Sequence, residues 1–109
     1  MEISIEDFKK VEIKIGKILS AQKIPNSEKL LKLSVDFGED KPRQVLSGIS
    51  SYFPEPEDLV GKKSAFVTNL APREMMGLTS EAMILAVSGE GYFSLISPTD
   101  DTPVGATAK

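Results

Sequence analysis

Apolar and polar residues alternate with a period of two along much of the chain. Val11, Ile13 and Ile15 alternate with Glu12 and Lys14, and Leu31, Leu33, Val35 and Phe37 alternate with Lys32, Ser34 and Asp36. This is the period of a strand with one buried face. Gly16 interrupts the first run, where a bulge or bend is expected, and Pro25-Asn26-Ser27 marks a turn between the two runs. Gln44 to Ile49 predicts a third strand after the turn at Gly38 to Pro42. Ala65 to Thr68, Ala82 to Val87 and Tyr92 to Ile96 continue the series. Val104 and Ala106 follow a polar, turn-rich stretch and predict a tail that packs against the rest. Two short helices interrupt the strands. One begins at Ser4, whose hydroxyl stands three residues before Asp7. The other spans Pro54 to Gly61, with acids near its start and a glycine stop. Short strands at regular spacing with one helix among them predict an all-β chain folded as a small closed or partly open β-barrel.

A chain of 109 residues with 40% apolar content suits one compact core, so a single domain over residues 1–109 is expected. Cysteine is absent, which excludes a disulfide framework, a thiolate metal site and a cysteine nucleophile, and suits a reducing cytosol. Histidine is absent too, removing the commonest general base and every triad built on it. Glu55, Glu57 and Asp58 are explained by a helix start, Gly38-Glu39-Asp40-Lys41 lacks the pattern of a calcium loop, and Gly48, Gly89 and Gly91 do not make a phosphate cradle. No catalytic residue, metal ligand or cofactor is therefore assigned. No apolar run approaches the roughly 20 residues that span a bilayer, and the start Met1-Glu2-Ile3-Ser4 lacks a secretion pattern. A cytoplasmic protein without membrane contact is expected.

The net charge of −3 argues against a generic nucleic-acid coat, but the charges are segregated. Between Val11 and Val35, Lys14, Lys17, Lys23, Lys29 and Lys32 outnumber Glu12 and Glu28. Acids dominate from Asp36 to Asp58. A basic face on an acidic protein is compatible with this layout, and so is an ordinary set of solvated lysines.

The richest chemistry lies in Asn69-Leu70-Ala71-Pro72-Arg73-Glu74-Met75-Met76-Gly77-Leu78-Thr79-Ser80-Glu81-Ala82-Met83, a polar segment between two apolar runs. Loops on a rigid scaffold carry binding. This spelling resembles the N-L-x-P-R-K-M-R-G-x-x-S-E-G-M signature of the tRNA-binding domain found at the C-terminus of methionyl-tRNA synthetases, as their beta subunit, and in free-standing relatives. Asn69, Leu70, Pro72, Arg73, Met75, Gly77, Ser80, Glu81 and Met83 agree with it. Glu74 and Met76 depart, standing where Lys and Arg are usual. The resemblance extends to Asp7-Phe8-Lys9-Lys10-Val11-Glu12-Ile13-Lys14-Ile15-Gly16-Lys17-Ile18, to Ile24-Pro25-Asn26-Ser27-Glu28-Lys29-Leu30, to Val35-Asp36-Phe37-Gly38 and to Val45-Leu46-Ser47-Gly48-Ile49, with Arg43 where an Arg is common.

The resemblance implies an OB-fold: a five-stranded Greek-key barrel with a short helix between strands three and four, plus terminal extensions. It also implies binding of the tRNA body with little sequence specificity, a homodimer, and the synthetase catalytic subunit as a partner. Lys14, Lys17, Lys29 and Lys32 would form a phosphate-neutralising ridge. Arg73 would add a planar fork, with Arg43 a further matched base. Asn69 and Ser80 would hydrogen-bond sugar or base edges, and Met83 would touch a base. Each has an internal alternative. Asn69 can close an Asx turn, Ser80 and Glu81 can tie the loop together, and Ile84 and Leu85 beside Met83 favour a core place for it. Glu74 and Met76 together lower the loop charge, which keeps a second class open: a dimeric protein-docking or peptide-binding chaperone module on the same fold. The chaperone branch reads S-A-Q and S-E-V-L where this chain has Ser47-Gly48-Ile49 and Ser80-Glu81-Ala82-Met83, so the spelling favours tRNA.

Overall fold

The computed structural model describes residues 1–109. A short helix α1 (Ile5–Phe8) precedes β1 (Ile13–Lys23), β2 (Leu31–Asp36), β3 (Arg43–Ser47), β4 (Lys63–Val67), β5 (Arg73–Met75), β6 (Leu78–Ser80), β7 (Met83–Ile84), β8 (Ala86–Gly89) and β9 (Tyr92–Leu95). β3, β2, β1, β4 and β7 lie side by side in that order, all antiparallel. β7 comes back against β3, so the sheet nearly closes into the expected five-stranded barrel. Ile18, Leu31, Leu33, Val35, Val45, Leu59 and Phe66 fill its interior, each burial contributing about 1.5–3 kcal/mol. No helix is long and apolar enough to cross a membrane.

β1 serves two neighbours. Its first half pairs with β4, setting Lys14 opposite Phe66 and Gly16 opposite Ser64, while its second half pairs with β2, setting Ile18 opposite Val35 and Ala21 opposite Leu33. Directly opposed residues share a face, so Lys14, Gly16 and Ile18 lie on the inner side. The register slips between Ile18 and Ser20, leaving Leu19 as the extra residue of a bulge. Beyond it the parity reverses: Ala21 turns inward while Ser20 and Gln22 turn out. The bulge is therefore at Leu19 and not at Gly16. Gly16 is required for a different reason, since a Cβ there would stand 2.6 Å from both the Phe37 ring and Val35. The tail runs beside β1, with Gly105 N donating to Ile15 O, Ile15 N to Ala106 O and Ala108 N to Ile13 O.

Ser4 caps α1 by accepting from Asp7 N at 3.1 Å. The second helix differs from expectation, because Ser50–Tyr52 and Pro56–Leu59 form two separate 3₁₀ turns. Pro56 holds Glu55 extended (φ −110°, ψ 93°), which leaves too few residues before Gly61 for an α-helix. The motif segment is not an open loop either. β5 and β6 make a hairpin with Arg73 opposite Ser80, Glu74 opposite Thr79 and Met75 opposite Leu78. Its tip has Met76 at φ 54° and Gly77 at φ 76°, the left-handed pair of a type I′ turn.

Candidate functional site

The motif hairpin is bolted to β3 through residues that the sequence marks as polar. Ser80 is buried, and its hydroxyl accepts from Leu46 N at 2.9 Å and donates to Ala82 O at 3.0 Å. Glu81 accepts from Gln44 N at 3.0 Å, and the Gln44 side chain donates to Thr79 O at 2.9 Å. Asn69 works at the other flank of the motif. Its amide donates to Lys10 O at 2.6 Å and its side-chain oxygen accepts from Glu12 N at 2.8 Å, so it staples the end of β4 to the start of β1 and closes no turn of its own.

Arg43 is the knot of this end of the barrel. Nε and Nη2 each donate to Glu39 at 2.8 Å, and Nη1 donates to Thr68 O at 2.7 Å and Glu81 O at 3.2 Å. The guanidinium lies 5.4 Å from the centre of the Phe37 ring. Glu39 is held below the ordinary carboxyl range, chiefly by that hydrogen bond from Arg43. Glu12 is likewise lowered, first by a 2.6 Å hydrogen bond from Thr68 and then by Lys14 at 3.6 Å. Arg43, Asn69 and Ser80 thus have side-chain polar groups engaged within the chain.

The lysines do not form one ridge. Lys14 and Lys17 are three residues apart on a strand, hence on opposite faces. Lys14 sits at the barrel end beside Glu12, while Lys17 lies on the outer face opposite Asp36 and Lys63, the latter paired with Asp101 at 3.1 Å. Lys32 shares the outer face, between Gln22 and Leu46. Lys29 is exposed on the turn between β1 and β2.

Arg73 is exposed on the hairpin and makes no ion pair. Met83 is 43% exposed, against the core place expected for it. In β7 Ile84 takes the inward position opposite Phe66 and sends Met83 outward. Met83, Leu70, Met75 and Leu46 line an apolar recess of about 50 Å³ beneath Arg73. Gln44 is a site-forming residue that the sequence reading missed, and no local signal could have revealed it, since its partners lie 35 and 37 residues away. Tyr52 stacks on Phe93 at 4.2 Å and 15°, covering the junction of the first 3₁₀ turn with the β8–β9 hairpin.

A barrel with an anchored, solvent-facing hairpin defines an OB-type binding module. A family model described as "Putative tRNA binding domain" matches residues 13–107, and the chain belongs to that family. It is 54% identical over 104 residues to the methionine–tRNA ligase of Helicobacter pylori (strain J99), covering 95% of this chain and 16% of that protein. It is 48% identical over 105 residues to that of Methanococcus aeolicus, covering 96% of this chain and 15% of that protein. The chain therefore spans well under a fifth of the length of these relatives. Among solved structures, the MetRS-related protein from Pyrococcus horikoshii superposes with a TM-score of 0.89 at 38% identity, and the chaperone CsaA of Bacillus anthracis str. Ames with 0.86 at 29% identity. Both alignments cover 100% of each chain.

Proposed function

We propose that this chain is a non-catalytic tRNA-binding module of methionyl-tRNA synthetase, whether as a domain or as a separate subunit, that improves capture of tRNA in the cytoplasm. One observation carries the reading. The segment that resembles the family's signature falls on a hairpin whose Ser80 and Glu81 are spent on anchoring, leaving Arg73 unpaired and exposed beside Met83. Arg73 can grip a phosphate with two parallel hydrogen bonds or stack on a base. Lys17, Lys29 and Lys32 add sequence-independent attraction through release of counterions, and Met83 with Leu70 offers apolar contact to an unstacked base. The partners in this reading are tRNA, the synthetase catalytic subunit and a second copy of the chain. Met1, Ile3, Ile5, Phe8 and Val11 form an exposed apolar N-terminal segment suited to covering by that copy.

The test is Arg73→Ala in the 109-residue chain. Loss of a charge-assisted contact should weaken tRNA binding by about 1–3 kcal/mol with the unfolding curve unchanged, because the Arg73 side chain is exposed and makes no hydrogen bond or ion pair within the protein. An unaltered isotherm would remove Arg73 from the interface. A second reading, a protein-docking or chaperone-like module, is favoured by the likeness to CsaA and by the acidic Glu74 on the hairpin.

A further inference from the structure

The outer face of β1 and β2 beside the motif hairpin is polar in an unusual way. The bulge at Leu19 turns Ser20 and Gln22 outward, and the register then sets Ser20 opposite Ser34, Ser34 opposite Gln44, and Gln22 opposite Lys32. The side chains of Ser20, Gln22, Lys32 and Ser34 make no hydrogen bond or ion pair within the protein. Together with Gln44 and Glu81 they border a depression of about 320 Å³ that abuts the base of the β5–β6 hairpin.

The chemistry of this floor selects its occupant. There is no aromatic side chain among its lining residues, so bases have nothing to stack on. There is no apolar anchor of the kind that protein partners need, since Leu46, which shares this face, is already covered by the hairpin. β2 is paired on both edges, so a peptide cannot add to it as a strand. Arg43 and Gln44 on the rim are engaged within the protein, and Glu81 accepts from Gln44 N through one oxygen, so its carboxylate keeps a phosphate to the Lys32 side. What remains free is two hydroxyls and an amide that both donate and accept, with one unpaired cation, Lys32. That set matches a ribose 2′-hydroxyl, itself both donor and acceptor, with its adjoining phosphate.

We propose that this face is a ribose-reading seat. Ser20, Ser34 and Gln22 hydrogen-bond the 2′-hydroxyl and sugar of a nucleotide whose neighbour is held by Arg73, while Lys32 holds the intervening phosphate, so that the module distinguishes RNA from DNA. The inference rests on the tRNA-binding reading and goes further, in assigning the sugar discrimination to residues outside the signature.

The experiment compares binding of the 109-residue chain to a tRNA transcript and to DNA of the same sequence. The wild type should prefer RNA. Ser20→Ala with Ser34→Ala should reduce that preference by about five-fold or more, the worth of two modest hydrogen bonds, with DNA binding falling much less than RNA binding and the unfolding curve unchanged. Replacing both serines by threonine, which keeps the hydroxyls, should retain the preference. Lys32→Gln should weaken both ligands alike and lower the slope of log affinity against log salt by about 0.7–0.9. Equal affinity of the wild type for RNA and DNA would overturn the seat. So would an unchanged preference in the double-alanine variant, while a loss of tRNA binding in Arg73→Ala alongside it would leave the module reading standing. A wild-type chain that binds no tRNA would overturn both.

Discussion

At the scale of single residues, the sharpest constraint is Gly16. A methyl group there meets the Phe37 ring and Val35 at 2.6 Å, both within the barrel core. Gly16→Ala should cost about 1–3 kcal/mol through forced repacking, read as a lower urea midpoint; an unchanged midpoint would mean that the two side chains yield freely. The Arg43 knot sets a pH dependence. Glu39 and Glu12 are both held below the ordinary value of 4.5, so their contribution to stability is complete above that value and is lost as pH falls through their folded-state values. Glu39→Gln should therefore unfold at a lower temperature than wild type at neutral pH, and lose less on acidification from about pH 5 to pH 3. Parallel curves for the two proteins would show that the pair carries no linked proton.

At the scale of elements, the hairpin carries the chain's two departures from its family's spelling. Glu74→Lys with Met76→Arg exchanges repulsion of phosphate for attraction. Because Met and Arg both bear the left-handed conformation at position 76 with a Cβ, the turn is equally strained in either form. Binding to tRNA should tighten most at low salt, and each new phosphate contact should steepen the log–log salt slope by about 0.7–0.9. A gain of equal size at every salt concentration would indicate a conformational effect, and no gain would separate the hairpin from RNA. The barrel strands were legible because one face of each is buried, which writes period two into the chain. The hairpin was not, since Arg73, Glu74 and Thr79 have no apolar alternation to show, and its strands follow from the turn at Met76 and Gly77. β1 was legible only by halves: a single inserted residue at Leu19 reverses parity, and no periodic reading can see it. The signature singled out the candidate segment from spelling alone. It could not say that Asn69, Ser80 and Arg43 are engaged inside the chain, because their partners lie far away in sequence: 57 and 59 residues for Asn69, and 34 for the Leu46 amide that binds Ser80.

At the scale of the whole molecule, the exposed apolar segment from Met1 to Val11 flanks the tail at Thr107 and Ala108. Sedimentation equilibrium at micromolar concentration should report twice the 11.8 kDa chain mass, and Phe8→Asp should return it to the monomer. A wild type sedimenting only as the single chain would exclude the second copy. The hairpin's moorings have a consequence in time. Arg43 reaches Thr68 and Glu81 across 25 and 38 residues, and Ser80 reaches Leu46 across 34. Contacts of such span form late, because long stretches of chain must first be brought together. A truncated chain, or one still leaving the ribosome, contains the signature as letters without holding it as a surface. The hairpin holds its present orientation only while the barrel that moors it is closed.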